Sequence, residues 1–389
     1  MVVLKNRKLI MVYGEKWWFM SKLKILELFA GIGAVSKALE RLDIDFEIVD
    51  AVEIDKYAIK SFNVIHGTNF EPQDITKWDK NIEIDLISHG SPCQDFSLAG
   101  KQAGGDKDSG TRSSLMYETI RIVEKLKPKY VIWENVKNLL SKKHIHNFDA
   151  YLETMEQLGY KNYYQILNAK DYGIPQNRER VFTVSIRSDI DRSFVFPEKQ
   201  PLKLKLKDML EDFVSDNYFL TNEQIKRIET TTYNVGKTRI QKKDWCDTLC
   251  ARDWKDPKCV EIDEKYYLSN KMKNYISKQG TSNFKNPDCK INLDVARPLT
   301  TDPNKRAGTT NYICKELPSE CNICDMDLKE YKIRKLTPKE YWRLMGFDDA
   351  DFEKAEKVNS NTQLYKQAGN SIVVNVMVEI LKQLLKGGD

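Results

Sequence analysis

The chain has 389 residues, 41% hydrophobic and 31% charged, with a formal net charge of +5. That profile suits one large domain plus a smaller one, and no apolar run reaches the length of a membrane span. The mild basicity fits a solvated Lys-rich surface as well as a nucleic-acid footprint.

Met1–Trp18 lacks the continuous apolar core and small-residue cleavage site of a targeting segment. Met20 directly precedes the first strand, so it is the expected natural start, with residues 1–20 a poorly ordered extension. Lys24–Phe29 then reads as a strand, and Val35, Ala38, Leu39 and Leu42 recur at helical spacing. Glu47–Glu53 is a second strand, followed by a helix from about Tyr57. Asp85–Ser88 is a third strand, and Leu115 to Leu126 trace a helix that stops before Pro128. Tyr130–Trp133 is strand-like, a helix runs near Phe148–Leu158, and Tyr164–Leu167 and Arg180–Ile186 form a hairpin pair. This alternation predicts an α/β fold with a doubly wound, mostly parallel sheet.

The pattern breaks at Phe196–Pro197 and stays polar and irregular to about Lys335, which predicts an inserted second domain of loops and short strands. Ile372–Leu385 is again a strongly apolar helix, so the sheet domain is expected to draw on both ends of the chain. The eight cysteines are scattered, which fits free thiols in a reducing compartment rather than a disulfide framework. Cys321 and Cys324 with Cys314 hint at zinc, but no histidine lies nearby and a second Cys-x-x-Cys is absent, so no metal site is predicted.

Four polar signatures stand at strand ends. Glu27-Leu28-Phe29-Ala30-Gly31-Ile32-Gly33 puts glycines between a strand and a helix, where a ligand can approach backbone closely. Glu53 follows about twenty residues on, where an acid holds ribose hydroxyls. These two also fit a nicotinamide enzyme or a tight structural turn. Asp74-Ile75 could reach an adenine amino group or simply cap a helix before Lys77. Cys93, in Gly90-Ser91-Pro92-Cys93-Gln94, follows the third strand and is a candidate nucleophile, although a buried structural thiol is the commoner fate of a cysteine. Glu134 ends the next strand in Trp133-Glu134-Asn135-Val136. In Gln176-Asn177-Arg178-Glu179-Arg180, arginines at alternate strand positions point to one face, where guanidinium groups bind carbonyls or phosphates.

Taken in order, and with Gln367-Ala368-Gly369-Asn370-Ser371 near the end, these motifs resemble those of the DNA cytosine-5 methyltransferase family over roughly residues 23 to 385. The resemblance implies the S-adenosylmethionine-dependent methyltransferase fold, S-adenosylmethionine as cofactor and double-stranded DNA as partner. It implies that Cys93 adds to carbon 6 of a flipped-out cytosine, that Glu134 holds the nitrogen 3 edge and amino group, and that Arg178 and Arg180 are the arginine pair, with Arg180 on the base carbonyl. In the donor site it implies Phe29 against adenine, Ile32 and Gly33 along the methionine part, Glu53 at the ribose and Asp74 at the adenine amino group, with Gly31, Ile54 and Ile75 also binding the cofactor. Gly90 and Pro92 would line the pocket beside the thiol, and Asn370 and Ser371 would close the donor site at its amino-acid end.

Ser97–Arg112, rich in glycine and cations, resembles the family's mobile catalytic loop. The implied domains are 1–20 as an extension, 21–195 plus 355–389 as the catalytic domain, 196–335 as the target-recognition domain and 336–354 as a hinge. Thr248-Leu249 and Leu299-Thr300 both fit the family's Thr-Leu element. Glu27 replaces a usual aspartate, and Gln73 stands where glycine often precedes the acid. The expected protein is a bacterial or phage-type monomer acting on cytoplasmic DNA, with no membrane partner; a cognate restriction endonuclease, where one exists, acts separately. An RNA cytosine-5 methyltransferase and a catalytically inactive DNA-binding homologue are the alternatives; the long insertion argues against the first and intact Cys93, Glu134 and Arg180 against the second.

Overall fold

The computed structural model describes residues 22–92, 115–230, 240–241, 243–262 and 332–385. Several expectations lie outside the described residues: the 1–20 extension with its Met20 start, Cys93, the Ser97–Arg112 segment, Leu299-Thr300, and the Cys314, Cys321 and Cys324 group.

The amino-terminal half alternates strands β1 (Leu23–Leu28), β2 (Phe46–Val52), β3 (Leu86–His89) and β4 (Tyr130–Val136) with helices α1 (Ala34–Arg41), α2 (Lys56–His66), α3 (Met116–Leu126) and α4 (Ile145–Gln157). Then come β5 (Tyr160–Asn168), β6 (Gln176–Asn177) and β7 (Glu179–Arg187). The main sheet has the order β2-β1-β3-β4-β7-β5. Its first four strands are parallel, and β7 runs antiparallel between β4 and β5. The topology reverses at β1, which has β2 on one side and β3 on the other. Open α/β sheets bind ligands outside the carboxyl ends of strands at such a point.

The sheet is buried on both faces because its strands alternate with period two between two apolar layers. Ile25, Leu86, Ile132 and Val184 belong to one core, which also takes Val35, Ala38 and Leu39 of α1. Leu26, Ile87, Val131 and Trp133 belong to the other, with Ile122 and Val123 of α3 and Phe148, Tyr151 and Met155 of α4. β4 runs three residues further than Trp133, because β7 continues the ladder to the Val136–Arg180 pair. Glu134 therefore lies within a strand rather than beyond its end.

The insertion carries α5 (Asn222–Thr230), β8 (Ile240–Gln241), β9 (Cys246–Asp247), β10 (Cys259–Ile262) and β11 (Lys332–Lys335). A small sheet of order β11-β10-β8 forms there, and β6 pairs with β9 in a two-residue parallel ladder. Its apolar residues Cys246, Leu249, Val260 and Ile262 are continuous with the first core.

The stretch expected as a hinge folds into α6 (Pro338–Leu344) and α7 (Asp349–Ala355). Thr337 and Glu340 form a capping box with Pro338 in the first turn, a start signal legible in the sequence. Tyr341, Trp342, Leu344 and Met345 are buried in the main core. Arg334 and Glu340, both fully buried, make a two-pronged ion pair at 2.8 and 2.5 Å.

Two last helices follow, α8 (Asn361–Asn370) and α9 (Val374–Leu385). α9 buries Val374, Val376, Met377, Ile380, Leu381 and Leu384 beside α1. At roughly 1.5–3 kcal/mol per fully buried aliphatic side chain, this face holds the carboxyl terminus onto the amino-terminal half.

Candidate functional site

The glycine loop expected to meet the donor begins with Glu27, buried on β1. Gly33, the residue before α1, offers no capping side chain. Glu27 takes over that role: its carboxyl accepts from the Ser36 amide at 3.1 Å and from the Ser36 hydroxyl. The amide is a first-turn donor with no partner inside the helix. Burial pushes the Glu27 carboxyl up to about 7, against the opposing pull of the Ser36 donors.

Phe29, Gly31 and Gly33 all have positive φ, at 53°, 56° and 80°. The two glycines serve different ends. A Cβ on Gly33 would lie 2.1 Å from Nε2 of His66, which fills the space beneath the loop and bonds the Ile32 carbonyl at 3.2 Å. Burial pulls His66 down to about 4, so it packs there as a neutral ring. A Cβ on Gly31 would meet nothing within 4 Å, so the open side of the loop faces free space.

Glu53 stands at the end of β2. One of its carboxyl oxygens accepts from the Gly31 amide at 2.9 Å and the other from the Asp55 amide at 2.8 Å. Burial raises its pKa. Ile54 beside it is 71% exposed, an apolar side chain with little covering it. Asp74 accepts from the Thr76 amide and hydroxyl at 3.0 and 2.8 Å and so caps a short 3-10 turn, Ile75–Lys77. The side chains of Ile32 and Ile75 point into the cores, leaving only their backbone to a ligand.

Sequence reasoning missed Asp50, which organises this wall. It is buried and accepts from Gln73, Trp78 and Lys80 at 2.8, 2.8 and 2.7 Å. Gln73, noted as a departure from glycine, thus has a structural use.

On the other side of the site, Glu134 of β4 and Arg180 of β7 are diagonal neighbours on one face of the sheet. Arg180 Nε lies 3.0 Å from Glu134 Oε1, with the two side chains 15% and 12% exposed. A pair this shielded from water holds its geometry better than a surface pair. A Cβ on Gly90 would lie 3.7 Å from the other Glu134 oxygen, so the chain leaving β3 passes directly beside this carboxyl.

The same strand holds the chain that leads to Cys93. Trp133 Nε1 donates to Ser91 Oγ at 3.1 Å, and Asn135 Nδ2 approaches the Ser91 carbonyl at 3.5 Å. Trp133 stacks on His89 at 5.5 Å between ring centroids, and His89 bonds Tyr151 at 3.1 Å. Burial pulls His89 down to about 3. Asn135 and Ser91 stood inside motifs already singled out. Nothing in the sequence linked them, because they lie on different strand ends.

Arg178 departs from expectation. It sits between β6 and β7, not in a strand with Arg180, and the two guanidinium groups have different partners. Arg178 is buried, and its guanidinium donates to the carbonyls of Leu249, Gly369 and Ser371 at 2.9, 3.2 and 2.9 Å. Thr248 donates to the Asn177 carbonyl at 2.6 Å, and the Leu249 amide donates to Gln176 at 3.2 Å. Ser371 is buried with its hydroxyl on the Ile372 carbonyl, whereas Asn370 is exposed at the end of α8. Among the described residues no group of His, Cys, Asp and Glu could hold a metal ion.

Residues 23–386 match the family described as C-5 cytosine-specific DNA methylase. The type II methyltransferase M2.ScrFI of Lactococcus lactis subsp. cremoris is 33% identical, over 94% of this chain and 99% of its own. The orphan methyltransferase M.SPBetaI of Bacillus phage SPbeta is 31% identical, over 94% and 98%. Among solved structures, a DNMT2 of Spodoptera frugiperda shares the fold with a TM-score of 0.62 at 20% identity, covering 93% of this chain and 99% of that one.

Proposed function

The chain belongs to the C-5 cytosine-specific DNA methylase family and is a DNA cytosine-5 methyltransferase, and from that premise we propose how its residues divide the work. Cys93 is the nucleophile, Glu134 and Arg180 hold the base, and the loop at Gly31 with Glu53 and Ile54 holds S-adenosylmethionine.

Several observations support the donor assignment. The loop is open over Gly31, so a ligand can lie against its backbone. Glu53 already holds the Gly31 amide, and its carboxyl can accept from ribose hydroxyls as well. The exposed Ile54 can cover one face of a planar base. When bound, S-adenosylmethionine supplies the electrophilic methyl group.

The base site follows from the chemistry of cytosine, whose carbon 5 is a poor nucleophile. Once the base is rotated out of the duplex, at a cost of a few kcal/mol, the Cys93 thiolate adds to carbon 6 and makes carbon 5 electron-rich. Glu134 bonds nitrogen 3 and the amino group and supplies a proton as charge develops on the ring. Arg180 donates to the carbonyl oxygen. Loss of the carbon-5 proton and then of the thiol releases the product.

The observation that carries this reading is the Glu134–Arg180 pair at 3.0 Å, with Gly90 beside it on the chain leading to Cys93. It sets an acid and a guanidinium side by side, as a base presenting a nitrogen edge and a carbonyl requires. Thr248-Leu249 is our choice for the Thr-Leu element, since its backbone and hydroxyl are bonded to the Gln176–Arg178 segment. We read residues 196–335 as the target-recognition domain and Ser97–Arg112 as the closing loop. The proposed setting is a cytoplasmic monomer on DNA, with any cognate restriction endonuclease a separate protein.

The test is sequencing of DNA from a host that expresses the chain, with detection of 5-methylcytosine, followed by incubation with a 5-fluorocytosine duplex bearing the site found. A covalent adduct at Cys93 that forms with the methyl donor is the expected result. Its absence with active protein, or full methyl transfer by Cys93→Ala, would overturn the assignment.

A further inference from the structure

Arg178 stands where three separated parts of the chain meet. The segment Thr248–Leu249 comes from the insertion, Gly369–Ser371 from the end of α8, and Gln176–Asn177 from the strand before Arg178 itself. One guanidinium donates to carbonyls in the first two, at Leu249, Gly369 and Ser371. The last carbonyls of a helix lack partners within it and carry its negative dipole end, so a buried cation is well placed there. Packing reinforces the bonds. A Cβ on Gly369 would lie 2.3 Å from the Ala251 nitrogen and the Cys250 carbonyl carbon, so no side chain separates the two backbones. Displacing the insertion segment therefore displaces the carbonyls that end α8.

We propose that Arg178 is a positioning residue that couples target recognition to donor binding. It holds Thr248–Leu249 and Asn370–Ser371 as one unit, so engagement of duplex DNA at the first tightens the hold on the donor at the second. The inference rests on the proposal of Thr248-Leu249 as the Thr-Leu element and on the resemblance that places Asn370 and Ser371 at the donor site. By linkage the effect is reciprocal, and the donor strengthens DNA binding by the same factor. Arg178 needs no contact with either ligand. Its forked, planar donor set is what allows it to reach separate acceptors, which a lysine ammonium on a flexible stem does not reproduce.

The full-length protein is titrated calorimetrically with S-adenosylhomocysteine, with and without a saturating duplex that bears the sequence methylated in the expressing host. The wild-type affinity is expected to rise about 10-fold with duplex, and that of Arg178→Lys by less than about 2-fold. A general loss of packing would weaken both titrations alike and leave their ratio unchanged. An Arg178→Lys ratio equal to wild type, or no rise in the wild type, overturns the proposal. Should Arg178→Lys fail to fold, hydrogen exchange on the wild type decides. S-adenosylhomocysteine alone is then expected to slow exchange at the Leu249 amide, and an unchanged rate there overturns the coupling. A wild type that methylates the duplex and binds S-adenosylhomocysteine without coupling leaves the proposed function standing. Failure to bind S-adenosylhomocysteine removes the donor assignment and this inference with it.

Discussion

Glu27 reaches Ser36 across 9 residues of chain, and Gly31 reaches Glu53 across 22, whereas Arg178 reaches Leu249, Gly369 and Ser371 across 71, 191 and 193. The glycine loop with Glu53 is thus closed by neighbouring strand–helix units, and the Arg178 tie is stitched from distant ones. The entropic cost of closing a loop grows only slowly with its length, so the distant contacts are not intrinsically weak. They do require the whole chain to be in place. A locally closed part can be altered at one ligand's expense, whereas a change at the Arg178 tie reaches several segments.

The sharpest division should come from Glu134→Gln, which keeps the shape of the base half but removes its acid. Its kcat for methyl transfer should fall about 10²–10⁴-fold, with S-adenosylhomocysteine affinity unchanged; a comparable loss in that affinity would dissolve the distinction between the halves. Gly33→Ala attacks the donor half through the fold. It combines a left-handed backbone position with a clash against His66, and should cost about 2–4 kcal/mol in denaturant unfolding. A stability within 0.5 kcal/mol of wild type (roughly the scatter of surface substitutions) would show that the loop shifts freely.

Glu27 gives a pH signature. Its folded pKa of about 7 lies above the ordinary 4.5, so the folded protein binds more protons than the unfolded chain between these values. The stability it contributes is full below the unfolded pKa and is lost as pH rises through about 7. Relative to Glu27→Gln, the wild type should lose on the order of 2 kcal/mol between pH 5 and 7; parallel curves would refute the buried, raised carboxyl. The smallest effect is expected for Glu53→Ala, with about a tenfold loss in S-adenosylhomocysteine affinity and little change in DNA binding. Unchanged affinity would remove Glu53 from the donor site.

The same contrast governs what could be read without coordinates. The strand–helix alternation, the glycine turn and the place of Glu53 at the end of β2 were legible because each depends on residues close along the chain. The expectation of one strand through Arg178 and Arg180 failed for the opposite reason. Strand alternation was assumed through both, but the ladder breaks between β6 and β7, and distant carbonyls claim the Arg178 guanidinium. Asp50 and His66 drew no notice because a buried polar residue in a strand or helix has no local mark of its partners.

Residue order alone carried the ordered motifs and the family, since motif spacing and period-two or helical patterning are properties of the linear chain. The tertiary structure decided which of those groups meet. It paired Glu134 with Arg180, gave Ser91 to Trp133 and Asn135, and made Arg178 a tie between the insertion and α8. Those choices depend on which strands become neighbours and which polar atoms are left needing partners once water is excluded, and neither is written in local sequence.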